Sequence, residues 1–156
     1  MDYLLFKWIH VVSATILFGT GLGSAFYLFV ANRSGDVKAI CFISRWVVIA
    51  DWIFTTPAFL VQLVTGYFLI EFLGFDYTEP WLLASFGLIA LAGASWLLVL
   101  WIQIQMRDLA HHANSTSEVL SHNYWRLERC WTLLGCVGFS AFVAIFYLMV
   151  AKPDLY

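Results

Sequence analysis

Residues 81–102 read WLLASFGLIALAGASWLLVLWI, and none of them carries a charge. As a helix this stretch is roughly 33 Å long at ~1.5 Å per residue, enough to cross a hydrocarbon layer of ~30 Å. Working outward, it continues to Ala110, and three other segments share its character: Tyr3 to Ala31, Ser44 to Leu73 and Tyr124 to Ala151. The chain therefore reads as one domain over residues 1–156, with spans near 3–31, 44–73, 81–110 and 124–151. Composition points to the same solvent, because 62% of the residues are hydrophobic and only 12% are charged, about half the share of a soluble domain. Lipid cannot hydrogen-bond a bare amide, so spanning segments must be helices or a closed barrel, and the two-residue alternation of a barrel strand is missing. The expected fold class is all-α, a transmembrane antiparallel four-helix bundle.

The connections carry orientation. Asn32-Arg33-Ser34-Gly35-Asp36 and Gly74 to Pro80 are turn-rich, and His111 to His122 reads as a polar loop. Arg33, Lys38, Arg45, Arg107, Arg126 and Arg129 flank the first and third connections, while Lys7 and Lys152 lie at the terminal ends. The positive-inside rule then places both termini outside the cytoplasm. A net charge of −2 with scattered basic residues excludes nucleic acid as a partner. The first thirty residues lack a basic leader and a small-residue cleavage site, so the segment is expected to stay. Cys41, Cys130 and Cys136 form no C-x-x-C pair and read as packing residues. Pro57 is expected to kink the second span, with the neighbouring threonine hydroxyls free to serve unpaired carbonyls.

Polar residues within the spans fall on stripes: Lys7, His10, Ser13 and Ser24; Asp51, Thr55, Gln62 and Thr65; Ser85 and Gln103; and Arg129, Cys136, Ser140 and Tyr147. Such stripes are expected to face the bundle centre, since polar groups against acyl chains are costly. Asp51, Gln103 and Arg129 each lie about seven residues, roughly 10 Å, inside a span end, which predicts one layer containing a buried Asp51–Arg129 ion pair supported by Gln103. A clamp fixing helix register is favoured over a proton or substrate role for that layer. Toward the opposite end lie His10, Tyr147 and, somewhat deeper, Gln62. His10 is the only histidine inside a span, and an imidazole there can bind haem iron, relay protons or hydrogen-bond a quinone. It can equally be a satisfied histidine bonded to a neighbouring helix.

A haem b on His10 would have Tyr147 or water opposite, with Lys7 and Lys152 available to propionates or simply snorkelling. Met149 points off the polar stripe. His111, His112 and His122 offer no fixed metal geometry, and no Gly-rich phosphate loop, serine elbow or H-E-x-x-H motif is present.

Several stretches resemble a bacterial family of predicted integral membrane proteins of unknown function. They are Asp51-Trp52-Ile53-Phe54-Thr55-Thr56-Pro57, Gln62 to Gly66, Trp101 to Ala110, Tyr124-Trp125-Arg126-Leu127 and Phe146 to Pro153. That resemblance covers nearly the whole chain and implies a four-helix membrane protein without naming a reaction. The first helix alone, Lys7-Trp8-Ile9-His10-Val11-Val12 followed by Phe18-Gly19 and Arg33, is similar to HemJ-type protoporphyrinogen oxidases and CopD-type copper-resistance proteins. This second likeness implies that His10 is associated with haem or metal, although Phe18 stands where those families often carry tryptophan.

The expected function is membrane redox or haem-related chemistry on a b-type haem held by His10, with a homo-oligomer or a membrane redox partner. The alternatives are a non-catalytic membrane subunit or assembly factor, and a small-solute or metal permease.

Overall fold

The structure, a computed structural model, describes residues 2–153. Five α-helices build four membrane-length segments: α1 (Asp2–Ser34), α2 (Val37–Ala50) running through a π-helical turn (Asp51–Thr55) into α3 (Thr56–Leu73), α4 (Pro80–Thr116) and α5 (His122–Ala151). No strand occurs among the described residues. The bundle expected from composition is present, and its helices are longer than the hydropathy windows.

The ends of the helices follow from local chemistry. Gly35 adopts φ +69°, a left-handed conformation that costs glycine little, and the Asp36 side chain caps α2 by accepting from the Lys38 amide at 2.9 Å. Gly74, at φ +64°, closes α3 in the same way. The expected polar loop from His111 to His122 shrinks to a few residues. The helix persists because Ala110, the last residue of the apolar run, and Ala113 beyond it are both buried, so one face of α4 has packing partners for another turn. His111 and His112 therefore ride on α4, and His122 opens α5.

Pro57 acts just upstream of itself. Lacking an amide proton, and with a ring that crowds the preceding turn, it cannot be met by an ordinary α-turn. The chain widens over Asp51–Thr55, where the Thr56 amide bonds the Asp51 carbonyl five residues back. The expected role of the threonines changes accordingly: the Thr55 hydroxyl donates to the Asp51 carboxylate rather than to a carbonyl, and the buried Thr56 hydroxyl has no partner.

Packing is uneven along the bundle. A large core made by α1, α2, α4 and α5 joins Leu28, Ile40, Val47, Met106, Tyr124 and Trp131 at the end carrying the Gly35 turn. At the other end Trp81, Leu82 and Leu148 form a smaller cluster. There α3 rests mainly on α1, while α4 packs along α5. Small residues permit that second pairing, since a Cβ on Gly138 would stand 3.6 Å from Ser95 Cβ. The aromatic pairs Phe59–Trp96 and Phe18–Phe139, with ring centres 5.1 and 4.8 Å apart, bridge the two helix pairs.

The α5 stripe departs from expectation. Arg129, Cys136, Ser140 and Tyr147 are all exposed, because α5 presents Tyr124, Trp131, Ala141, Ile145 and Leu148 to the bundle instead. Aromatic and small side chains that fit against α4 gain more from burial than weakly polar Ser and Cys would gain from being hidden.

Candidate ligand site around His10

His10 lies on α1 beside the second turn of α3 and beyond, within reach of Gln62 and Thr65, which sit three residues apart on one face of that helix. The His10 Nδ1 atom and the Thr65 hydroxyl oxygen are 2.7 Å apart. Thr65 has one hydroxyl proton, and it donates that proton to the Val61 carbonyl one turn back, at 2.6 Å. Thr65 must therefore accept from His10, so Nδ1 carries the proton and the lone pair of the neutral ring sits on Nε2. Nε2 has no hydrogen-bond partner among the described residues, nor is it sealed in the interior as an orphaned atom.

Backbone contacts fix the ring further. The Gln62 amide donates to the His10 carbonyl and, at 2.8 Å, to the Ser13 hydroxyl, which itself donates back to the His10 carbonyl at 3.0 Å. Gly66 lies beside the ring edge, where a Cβ would just touch His10 Cε1 at 3.4 Å. The outcome is a half-buried imidazole held at one nitrogen and uncommitted at the other.

Of the residues expected to surround His10, Gln62 does so. Lys7, one turn away on α1, is exposed and lies over the Tyr3 ring at 5.7 Å. Tyr147 is 65% exposed and faces away from the bundle, so it is no ligand opposite His10. Lys152 sits against Phe75 and Trp81, with Nζ 4.4 and 5.7 Å from the ring centres, and belongs to the α4–α5 end. Thr65 and Ser13 complete the cluster. Their place on the stripes of Gln62 and His10 was the available signal, but only cross-helix geometry shows which hydroxyl the imidazole meets.

The second polar cluster is closed. Asp51 is buried at the π-turn and accepts from Thr55 at 2.7 Å and from the Gln103 amide, and Trp131 Nε1 donates to the Gln103 carbonyl at 3.4 Å. Arg129 does not join it. Two residues at ~100° each separate Arg129 from Trp131 around the helix, so with Trp131 turned inward the guanidinium must turn outward. The expected Asp51–Arg129 pair is thus replaced by neutral donors, and the salt bridge among the described residues is Arg107–Asp108, at 2.7 Å, on an exposed surface. No group of three or more His, Cys, Asp or Glu side chains suited to a metal occurs among the described residues.

These features define a small polytopic helical membrane protein with one closed and one open polar cluster between its helices. The chain belongs to the DUF2269 family, described as predicted integral membrane protein, which it matches over residues 4–153. No curated protein and no solved structure matches it.

Proposed function

We propose that this protein is a bacterial inner-membrane haem b protein, with both termini on the periplasmic side, in which His10 Nε2 would hold the haem iron. The observation that carries this reading is the Thr65 hydroxyl bonded to Nδ1, which fixes the tautomer and leaves Nε2 as the donor atom. Ligating histidines commonly have their second nitrogen tied down in this way. An imidazole nitrogen is a donor suited to haem iron, and a bound haem would supply one-electron transfer.

Within that reading the chain's residues have separate tasks. Thr65 and Gly66 orient the imidazole, while Gln62 and Ser13 hold the α1 backbone that carries it. Neither Tyr147 nor Met149 supplies a second ligand: the first is exposed and the second packs with Trp81, Leu82 and Leu148. The side facing His10 would then be met by water, by another copy or by a membrane redox partner. An absorption spectrum of protein purified in detergent from haem-replete cells tests the proposal. A Soret band that vanishes in His10→Ala supports it, and a colourless, folded wild-type protein overturns it.

A second reading, a non-catalytic subunit or assembly factor, draws on the outward face of α5. Cys136, Ser140 and Tyr147 at membrane depth are better served by a neighbouring helix than by acyl chains. A permease has no such support, since Leu17 and Ala58, buried between the two polar clusters along α1 and α3, are apolar.

A further inference from the structure

Where the last turns of α1 meet the first turns of α5, Phe29, Asn32, Arg33, Trp125, Glu128 and Arg129 enclose a cleft of about 440 Å³. Asn32 is only 7% exposed, and its carbonyl oxygen accepts from the Tyr124 hydroxyl at 2.7 Å, which fixes the amide. Its Nδ2 has no partner among the described residues. A buried donor left in that state costs on the order of a hydrogen bond unless a ligand or water meets it. Arg33 from α1 and Arg129 from α5 line the same cleft. Neither Arg33 nor Arg129 is within ion-pair distance of Glu128 or of any other acidic side chain among the described residues, and Arg33 is instead steadied over the Phe29 ring at 5.2 Å.

We propose that this cleft binds a phosphate-bearing anion. Arg33 and Arg129 supply the charge and the forked donors that suit phosphate oxygens, and the Asn32 amide supplies a neutral donor at the base. Phe29 and Trp125 give the cleft one apolar side, as a group at the boundary between headgroups and acyl chains requires. The anion is either the headgroup phosphate of an anionic lipid or a free phosphate ester, since the recognition chemistry is the same for both. Glu128 opposes binding and keeps the local charge low.

The test uses the full-length protein in detergent. Retention of phosphatidylglycerol is followed by native mass spectrometry, and binding of inorganic phosphate by calorimetry. Arg33→Gln combined with Arg129→Gln should lower affinity at least tenfold. A charge-matched control, Lys38→Gln with Arg107→Gln, should leave it within twofold. Glu128→Gln, which removes a repelling charge without emptying space, should tighten binding severalfold. Retained lipid that millimolar phosphate does not displace identifies a headgroup site, and displacement identifies a site open to free phosphate. Equal loss in the two double variants, or no tightening in Glu128→Gln, would overturn the proposal, as would wild-type protein that binds neither probe.

Discussion

The two polar clusters of this bundle solve the same problem to different degrees. Around Asp51, contributions from α4, α5 and the π-turn meet, and each named donor finds an acceptor: Thr55 and Gln103 serve the carboxylate, and Trp131 serves Gln103. Around His10, two helices meet, and the imidazole keeps one nitrogen uncommitted. The first cluster lies where four segments pack together, the second where α3 rests chiefly on α1. A closed network holds helices together with its donors already spent, whereas an open one can hold helices and still accept a ligand.

That contrast makes Gln103 the more consequential of the two glutamines for stability. Gln103→Leu leaves Asp51 Oδ2 and the Trp131 indole unpaired in a buried layer, with Thr55 still serving Oδ1, so thermal unfolding in detergent should show a loss of about 2–3 kcal/mol. Gln62→Leu affects a half-buried site and should cost about 1 kcal/mol. Equal losses would erase the distinction between the clusters.

Thr65→Val sharpens the comparison from the other side. The isosteric change removes the acceptor that orients His10, and cofactor affinity should fall roughly 10–100-fold while the fold persists. Haem binding unchanged in Thr65→Val would show that the Nδ1 contact does no orienting. Arg129→Ala, by contrast, should alter unfolding by no more than about 0.5 kcal/mol, because Arg129 is exposed and forms no ion pair among the described residues. A loss of several kcal/mol there would restore the buried pair that the positions of Asp51 and Arg129 in the sequence suggest.

The smallest effect belongs to the Gly74 connection. Tyr77 donates to Glu71, and that bond, with the adjacent negative charge, pushes the phenol up to about 12. Because the folded value is raised, the contact is complete below the ordinary tyrosine range near 10 and is lost as pH rises through about 12. An alkaline absorbance titration of Tyr77→Phe should lack one late-ionising phenol that the wild type shows. Asp76 shifts the other way, held low by the Thr78 amide and hydroxyl, so its loop contact persists at neutral pH and fails only in acid.

Much of the fold was legible because one solvent dictates it. Runs such as Trp81 to Ile102 have no alternative to a helix in lipid, and Gly35 and Gly74 mark turns with a stereochemical reason. Depth was legible too, since counting inward placed Asp51 with Gln103 and His10 near Gln62. Rotation about each helix axis was not. The stripe of Arg129, Cys136, Ser140 and Tyr147 suggested an inward face, yet Trp131 and the close approach at Gly138 turn α5 the other way. Shape complementarity between two particular helices decides that angle, and a single helix's polarity pattern carries little of it. The π-turn escaped for a related reason: Pro57 announces a disturbance, but whether the chain kinks or widens depends on what the freed side chains can reach.

The most direct test of the central claim is a titration of haem into purified, haem-free protein, comparing wild type with His10→Ala and reading the Soret shift against protein concentration. The account predicts saturable binding through one histidine in the wild type and its loss in a variant whose helical content and melting remain those of the parent. Saturation with the same affinity and spectrum in both proteins would contradict it.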